Sequence, residues 1–330
     1  MKKIIALLLA LLMAVGMLAG CVKQNDDTDD TTDKLRIVTT IFPEYDWVKE
    51  ILGDKADHAD ITMLLDNGVD LHSYQPTADD IVKISDCDLF IYVGGESEGW
   101  AEDALKNSAN KDRKVINLLD VLGDSVKSEE VVEGMQEEEH EHEEGEAHEH
   151  EEEADEHVWL SLKNAEVLVG AISNALQELD AENKEIYAAN ADAYMKKLAA
   201  LDAEYQTAVD NATHKTVLFG DRFPFRYLAD DYGLNYYAAF VGCSAETEAS
   251  FETISFLAKK ADELKLPCVL TIEGKHHKIA ETIVKNTAQK SQKILTMDSM
   301  QSTTSKDVAS GTTYLSVMEK NLAVLKEALG

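Results

Sequence analysis

The stretch YAANADAYMKKLAALDAEYQTA, residues 187–208, decides the architecture. Tyr187, Ala191, Tyr194, Leu198, Leu201, Tyr205 and Ala208 alternate spacings of four and three, which lines them up on one stripe of an α-helix. Around it, residues 163–212 carry almost no strand signal and no Gly or Pro after Gly170, with a single break expected near Asp180. A helix of about 30 residues at about 1.5 Å per residue is about 45 Å long, which exceeds a small domain. It reads as a strut with a domain at each end.

Both flanks alternate strand and helix. Upstream, residues 35–42, 59–65, 87–93 and 114–119 read as strands, with helices at 44–52 and from Pro76 to about residue 85. Downstream, residues 215–219, 236–241, 267–272 and 293–296 read as strands, with helices between them and a closing helix to Leu329. The fold class is therefore α/β: two similar parallel-sheet domains joined by a long rigid helix, with a cleft between them where the carboxyl ends of strands meet. The expected divisions are 35–162 for the first α/β domain, 163–212 for the helical segment with its linking helix, and 213–330 for the second α/β domain.

A chain of 330 residues that is 45% hydrophobic can fill such cores. With 63 acidic against 31 basic residues its formal net charge is −32, which excludes nucleic acid as a partner held through phosphates. Much of the excess sits in residues 133–157, which hold 13 Glu and one Asp and no Lys or Arg. Four histidines, His140, His142, His148 and His150, interleave with these acids, so the loop 133–156 reads as a metal-capturing appendage rather than only a solvated acidic run. Neighbouring carboxylates favour imidazolium, so protons should compete with metal there.

Residues 1–20 read as an export signal: Lys2 and Lys3, an apolar run from residue 4 to 15, then Leu18-Ala19-Gly20 before Cys21. The run is shorter than the roughly 20 residues a membrane span needs. Small residues before a cysteine resemble the lipobox of bacterial lipoproteins, which makes Cys21 the lipid-bearing residue and residues 21–34 a tether. Of the other cysteines, Cys87, Cys243 and Cys268, none has CxxC spacing, and either a Cys243–Cys268 bridge or free thiols fits an exported chain.

Two histidines sit where loops feed helices: His72 within Gly68-Val69-Asp70-Leu71-His72-Ser73-Tyr74-Gln75-Pro76, and His157 within Asp155-Glu156-His157-Val158-Trp159-Leu160. A lone histidine at a helix entrance is more often a hydrogen-bonding residue than a ligand. These two segments, however, resemble the histidine motifs of the solute-binding proteins of bacterial zinc and manganese ABC importers. The resemblance spans nearly the whole chain after the tether, and the acidic histidine loop between the motifs is similar to that of many zinc members.

The resemblance implies a receptor, not an enzyme, that is exported and lipid-anchored to the outer face of the cell membrane or periplasmic. It implies a monomer that captures a divalent transition metal, Zn2+ before Mn2+, and delivers it to an ABC transporter permease subunit. His72 and His157 become ligands from the first domain, and Asp298, after the last strand, a carboxylate ligand from the second. The remaining family ligand, a His or Glu after the first strand of the second domain, falls on Arg222, and a guanidinium has no lone pair for a metal. Asp221 is the nearest replacement. The competing reading pairs Asp221 with Arg222 and takes the ligand from Glu246, Glu273, His276, His277 or water. Carboxylate replacement would move the site toward manganese. A zinc hydrolase is the alternative of another class, but no HExxH motif is present.

Overall fold

The computed structural model describes residues 34–106, 108–136, 153–244, 248–274 and 277–330. The signal segment, the tether with Cys21, and the loop histidines His140, His142, His148 and His150 lie outside the described residues, as do Glu246 and His276. Among the described residues no helix is long and apolar enough to cross a membrane.

Each half of the chain lays down a four-stranded parallel sheet, and the two sheets have the same strand order. The first comprises β1 (Leu35–Thr39), α1 (Phe42–Leu52), β2 (Ala59–Met63), α2 (Ala78–Asp86), β3 (Leu89–Tyr92), α3 (Trp100–Lys106), β4 (Lys114–Asn117) and α4 (Leu118–Leu122). Its order is β2-β1-β3-β4, with Ile37 opposite Ile61 on one side and Leu89 on the other. β3 is buried along its length, as a strand covered on both faces must be, which is why Leu-Phe-Ile-Tyr reads as an unbroken apolar run. The helix expected to open at Pro76 begins two residues later: Thr77 is its N-cap, and Thr77 and Asp80 bond reciprocally at 3.2 and 2.9 Å.

The helical segment is two helices, α5 (Leu162–Leu179) and α6 (Lys184–Asp210). The break falls at Asp180, whose carboxylate accepts from Asn183 Nδ2 at 2.8 Å and Tyr187 OH at 2.6 Å, so the polar side chain ends one helix and anchors the next. α6 has 27 residues and is about 40 Å long. Its buried stripe is the expected one except at its end, where Val209 replaces Ala208. A repeat of 3.6 drifts ahead of one averaging 3.5 over that length. The helix touches both halves of the chain: Asn190 Nδ2 donates to Ile51 O at 3.0 Å, and Tyr205 OH donates to Met318 O at 2.7 Å.

The second sheet follows: β5 (Thr216–Phe223), α7 (Arg226–Tyr232), β6 (Asn235–Val241), α8 (Phe251–Glu263), β7 (Cys268–Thr271), α9 (Lys278–Asn286), β8 (Lys293–Thr296), α10 (Ser305–Ala309) and α11 (Tyr314–Leu329). Its order is β6-β5-β7-β8. β5 continues past the expected end through an irregularity between Phe219 and Arg222, beyond which Arg222 pairs with Phe240. Tyr314 ties the C-terminal helix to the first half: its amide donates to Asp46 Oδ2 at 2.8 Å, its hydroxyl to Trp159 O at 2.6 Å, and its ring meets Trp47 edge-on. Repeating one open-sheet topology places two sets of carboxyl-end loops where a ligand can be held.

Candidate metal centre

His72 is placed by a short chain of local devices. The Asp70 Oδ1 accepts from the His72 amide at 3.0 Å and starts a 3-10 turn over Leu71–Ser73, and Leu71, fully buried, pins that turn to the core. On the ring, Nδ1 lies 2.7 Å from Ser97 Oγ and 3.4 Å from Glu156 Oε2. Glu156 in turn accepts from the Ser97 amide at 2.9 Å. This packing needs Gly95: it has φ +81°, and a Cβ there would fall 2.3 Å from Glu156 Oε1.

His157 has no exposed surface. Asp155 Oδ1 accepts both its amide and its ring Nδ1 at 2.9 Å, and Trp159 closes one side of the ring at a centroid distance of 5.3 Å. Asp155 and Glu129 are themselves held by a bridge between Ser128 and Ala154, in which the Glu129 amide donates to Glu153 O and the Asp155 amide to Lys127 O, each at 2.8 Å. The two ends of the acidic loop therefore meet beside the histidine that follows it.

These supports converge on one feature. With an oxygen beside each Nδ1, the tautomer that places both ring protons there leaves both Nε2 lone pairs free for an ion. The two Nε2 atoms face one another at 3.2 Å. Two nitrogens bound at about 2.0–2.1 Å in a tetrahedral shell stand about 3.3 Å apart, so the pair already has the spacing of two ligands to one ion. Burial pushes His72 down to about 3, aided by His157 and opposed by Asp70, so its imidazole is neutral at physiological pH.

A third donor joins them that the sequence reading did not nominate. Cys243 Sγ and a ring nitrogen from each of His72 and His157 all lie within 4.8 Å of one another. Cys243 follows β6, its amide donates to Glu129 Oε1 at 2.9 Å, and its thiol hydrogen-bonds the same carboxylate. Burial pushes that thiol well up. Cys87, Cys243 and Cys268 are all free. The geometry rules out the bridge: Cys268 opens β7 while Cys243 follows the end of β6, and in a parallel sheet these are opposite edges.

The proposed carboxylates do not join this group. Asp298 Oδ1 accepts the Met300 amide at 2.8 Å, and Asn321 clamps the Asp298 backbone through two bonds of 2.8 Å. Burial and then Glu273 push its carboxyl up to about 6. Asp221 accepts its neighbour's amide, Arg222 N, at 3.0 Å and the Ile272 amide at 3.4 Å. Glu273 is spent on the Ser299 amide and hydroxyl and the Gln301 amide at 2.6–3.1 Å. Arg222 pairs with Asp70 across the cleft, not with Asp221. Although burial pushes the Asp70 carboxyl up, Arg222 outweighs it and holds it below its ordinary value. Asp70, Asp221, Arg222, Glu248 and His277 line a cavity of about 700 Å³ fed from both halves. The signal that could have found Cys243 is its place one residue past a Gly at the carboxyl end of a strand.

The sequence profile of a family described as zinc-uptake complex component A, periplasmic, matches residues 37–328. The zinc-binding lipoprotein AdcA of Streptococcus pneumoniae is 34% identical over 327 residues, covering 99% of this chain, and the chain spans 61% of the length of that relative. The high-affinity zinc uptake system protein ZnuA of Bacillus subtilis is 33% identical over 301 residues, 91% of this chain and 89% of the relative. Among solved structures, the Zn(II)-bound ZnuA-like domain of S. pneumoniae AdcA superposes with a TM-score of 0.69 at 31% identity, covering 90% of this chain and 99% of that one.

Proposed function

Since the chain belongs to the family of periplasmic zinc-uptake complex component A, we propose that it is an extracytoplasmic receptor that captures a divalent transition metal, zinc before manganese, and hands it to the permease of an ABC importer. The observation that carries this reading is the pair of Nε2 atoms facing each other at 3.2 Å, each ring held from behind through Nδ1. Two acceptors turned toward each other repel unless something positive sits between them.

In this reading His72 and His157 are ligands, and Asp221 and Asp298, expected as carboxylate ligands, stand outside the group of donors within 4.8 Å of one another. The domains are 35–162 and 213–330, joined through 163–212. Cys21 carries the lipid, the receptor works as a monomer on the outer side of the membrane, and the histidines at 140, 142, 148 and 150 gather ions near the cleft.

Zinc titration of the chain from Cys21 onward tests the reading. The expected result is one tight site, weakened at least about 100-fold by His72→Ala or by His157→Ala, as loss of one of very few ligands demands. Deleting residues 137–152 is expected to lower the stoichiometry and leave the tight site. Retention of tight binding in both histidine variants would refute the assignment.

A further inference from the structure

We propose that Cys243 is the third ligand of the captured ion, so that the shell contains two imidazoles and one thiolate and selects a thiophilic borderline ion over a hard one. The inference rests on the receptor reading above and names the class of its cargo.

The second half of the molecule must supply a donor if the ion is to be held between the two halves, and the position where the family has one is occupied by Arg222. That guanidinium is committed to Asp70. Asp221 and Glu273 have both carboxylate oxygens on backbone amides and Asp298 has one, and none of the three belongs to the group of donors within 4.8 Å of one another. Cys243 is the residue of that half, among those described, whose donor atom stands with both histidines inside 4.8 Å. In a tetrahedral site with Zn–S about 2.3 Å and Zn–N about 2.0–2.1 Å, sulfur and nitrogen are about 3.6 Å apart, so a contraction of at most about 1.2 Å brings the three donors onto one ion and leaves a fourth position for another ligand.

The neighbouring backbone is built for that approach. Gly242 packs against the imidazole of His157, where a Cβ would lie 2.9 Å from Cε1 and 3.0 Å from both Nδ1 and Phe223 O. Without a side chain at 242, the turn after β6 comes near enough for the next residue to reach the pair. Glu129, from the bridge that also carries Asp155, fixes the Cys243 amide. The structural elements that orient one imidazole and the thiol are thus the same. On binding, the thiol gives its proton to water as the sulfur–metal bond forms, with no change of oxidation state. Thiolate with imidazole suits zinc, cobalt(II) and other borderline ions, whereas manganese(II) prefers oxygen.

Cobalt(II) and zinc binding to the purified chain from Cys21 onward, in wild type, C243A, C243S and C268A, tests this. Expected are a thiolate-to-cobalt charge-transfer band in wild type and C268A, its absence from both Cys243 variants, a loss of zinc affinity of about 10–100-fold or more in those variants, and weak manganese binding throughout. The wild-type spectrum does not depend on any variant folding. If wild type binds cobalt and zinc through His72 and His157 but shows no charge-transfer band, and C243A binds zinc as well as wild type, the thiolate ligand is overturned and the receptor reading stands. If wild type binds no zinc at all, both are overturned.

Discussion

Asp155→Asn is the substitution that most directly probes how the fold prepares the site. The carboxylate is 2% exposed and uses one oxygen to hold both the amide and Nδ1 of His157 at 2.9 Å. Asparagine keeps the shape but removes the charge, and its NH2, if turned inward, donates to Nδ1 and drives the ring proton to Nε2, where the ion must bind. Removing such an orienting partner costs about 10–100-fold in metal affinity, or about 1.4–2.7 kcal/mol. At a fixed excess of zinc the same amount disappears from the stabilisation that zinc confers on the folded state. The unit from Leu35 to Gly330 has about 300 residues, and at about 2.1 cal/mol/K per residue its unfolding entropy is about 0.6 kcal/mol/K. The zinc-induced rise in Tm should therefore shrink by about 2–4 °C. Competition against a chromophoric chelator gives the affinity, and thermal scans with and without zinc give the shift. An Asn variant that matches wild type within twofold, while His157→Ala loses zinc, would show that the hydrogen bond does not prepare the ligand.

Two other perturbations bear on the same centre. Gly242→Ala introduces a Cβ about 0.5 Å or more inside ordinary contact with His157, and overpacking of that order costs about 1–3 kcal/mol; urea unfolding of the metal-free protein should register it, together with a weaker zinc site. The metal-free protein should also lose stability in acid through His72: its folded pKa is near 3 and its unfolded pKa near 6.5, so below about pH 6.5 the unfolded chain takes up a proton that the folded one refuses. This contribution is absent above that pH and grows by at most about 1.4 kcal/mol per unit as the pH falls toward 3; His72→Gln should flatten the difference in a series of unfolding curves from pH 8 to 4.

Much of the plan could be read from residue spacing, and the reasons are specific. The stripe from Tyr187 to Tyr205 was legible because a buried helix face repeats on the chain's own period, and central strands such as β3 and β7 because apolar runs under two covered faces are continuous. His72 and His157 were legible because each sits in a local motif. Cys243 was not: its partners come from loops far away in sequence, and only the tertiary fold brings them near. Arg222 illustrates the limit from the other side. Its spacing from Tyr232 put it at a ligand position, but the irregularity in β5 between Phe219 and Arg222 and the Asp70 carboxylate opposite decide what it does.

The bridge between Ser128 and Ala154 has a practical consequence. A segment whose two roots are already fastened together adds little closure entropy when lengthened, about 0.6 kcal/mol for each doubling. Foreign sequence, including a small fluorescent domain, spliced between residues 137 and 152 is therefore expected to leave the bridge and the seat of His157 in place. The molecule thereby offers a natural docking point for an optical sensor.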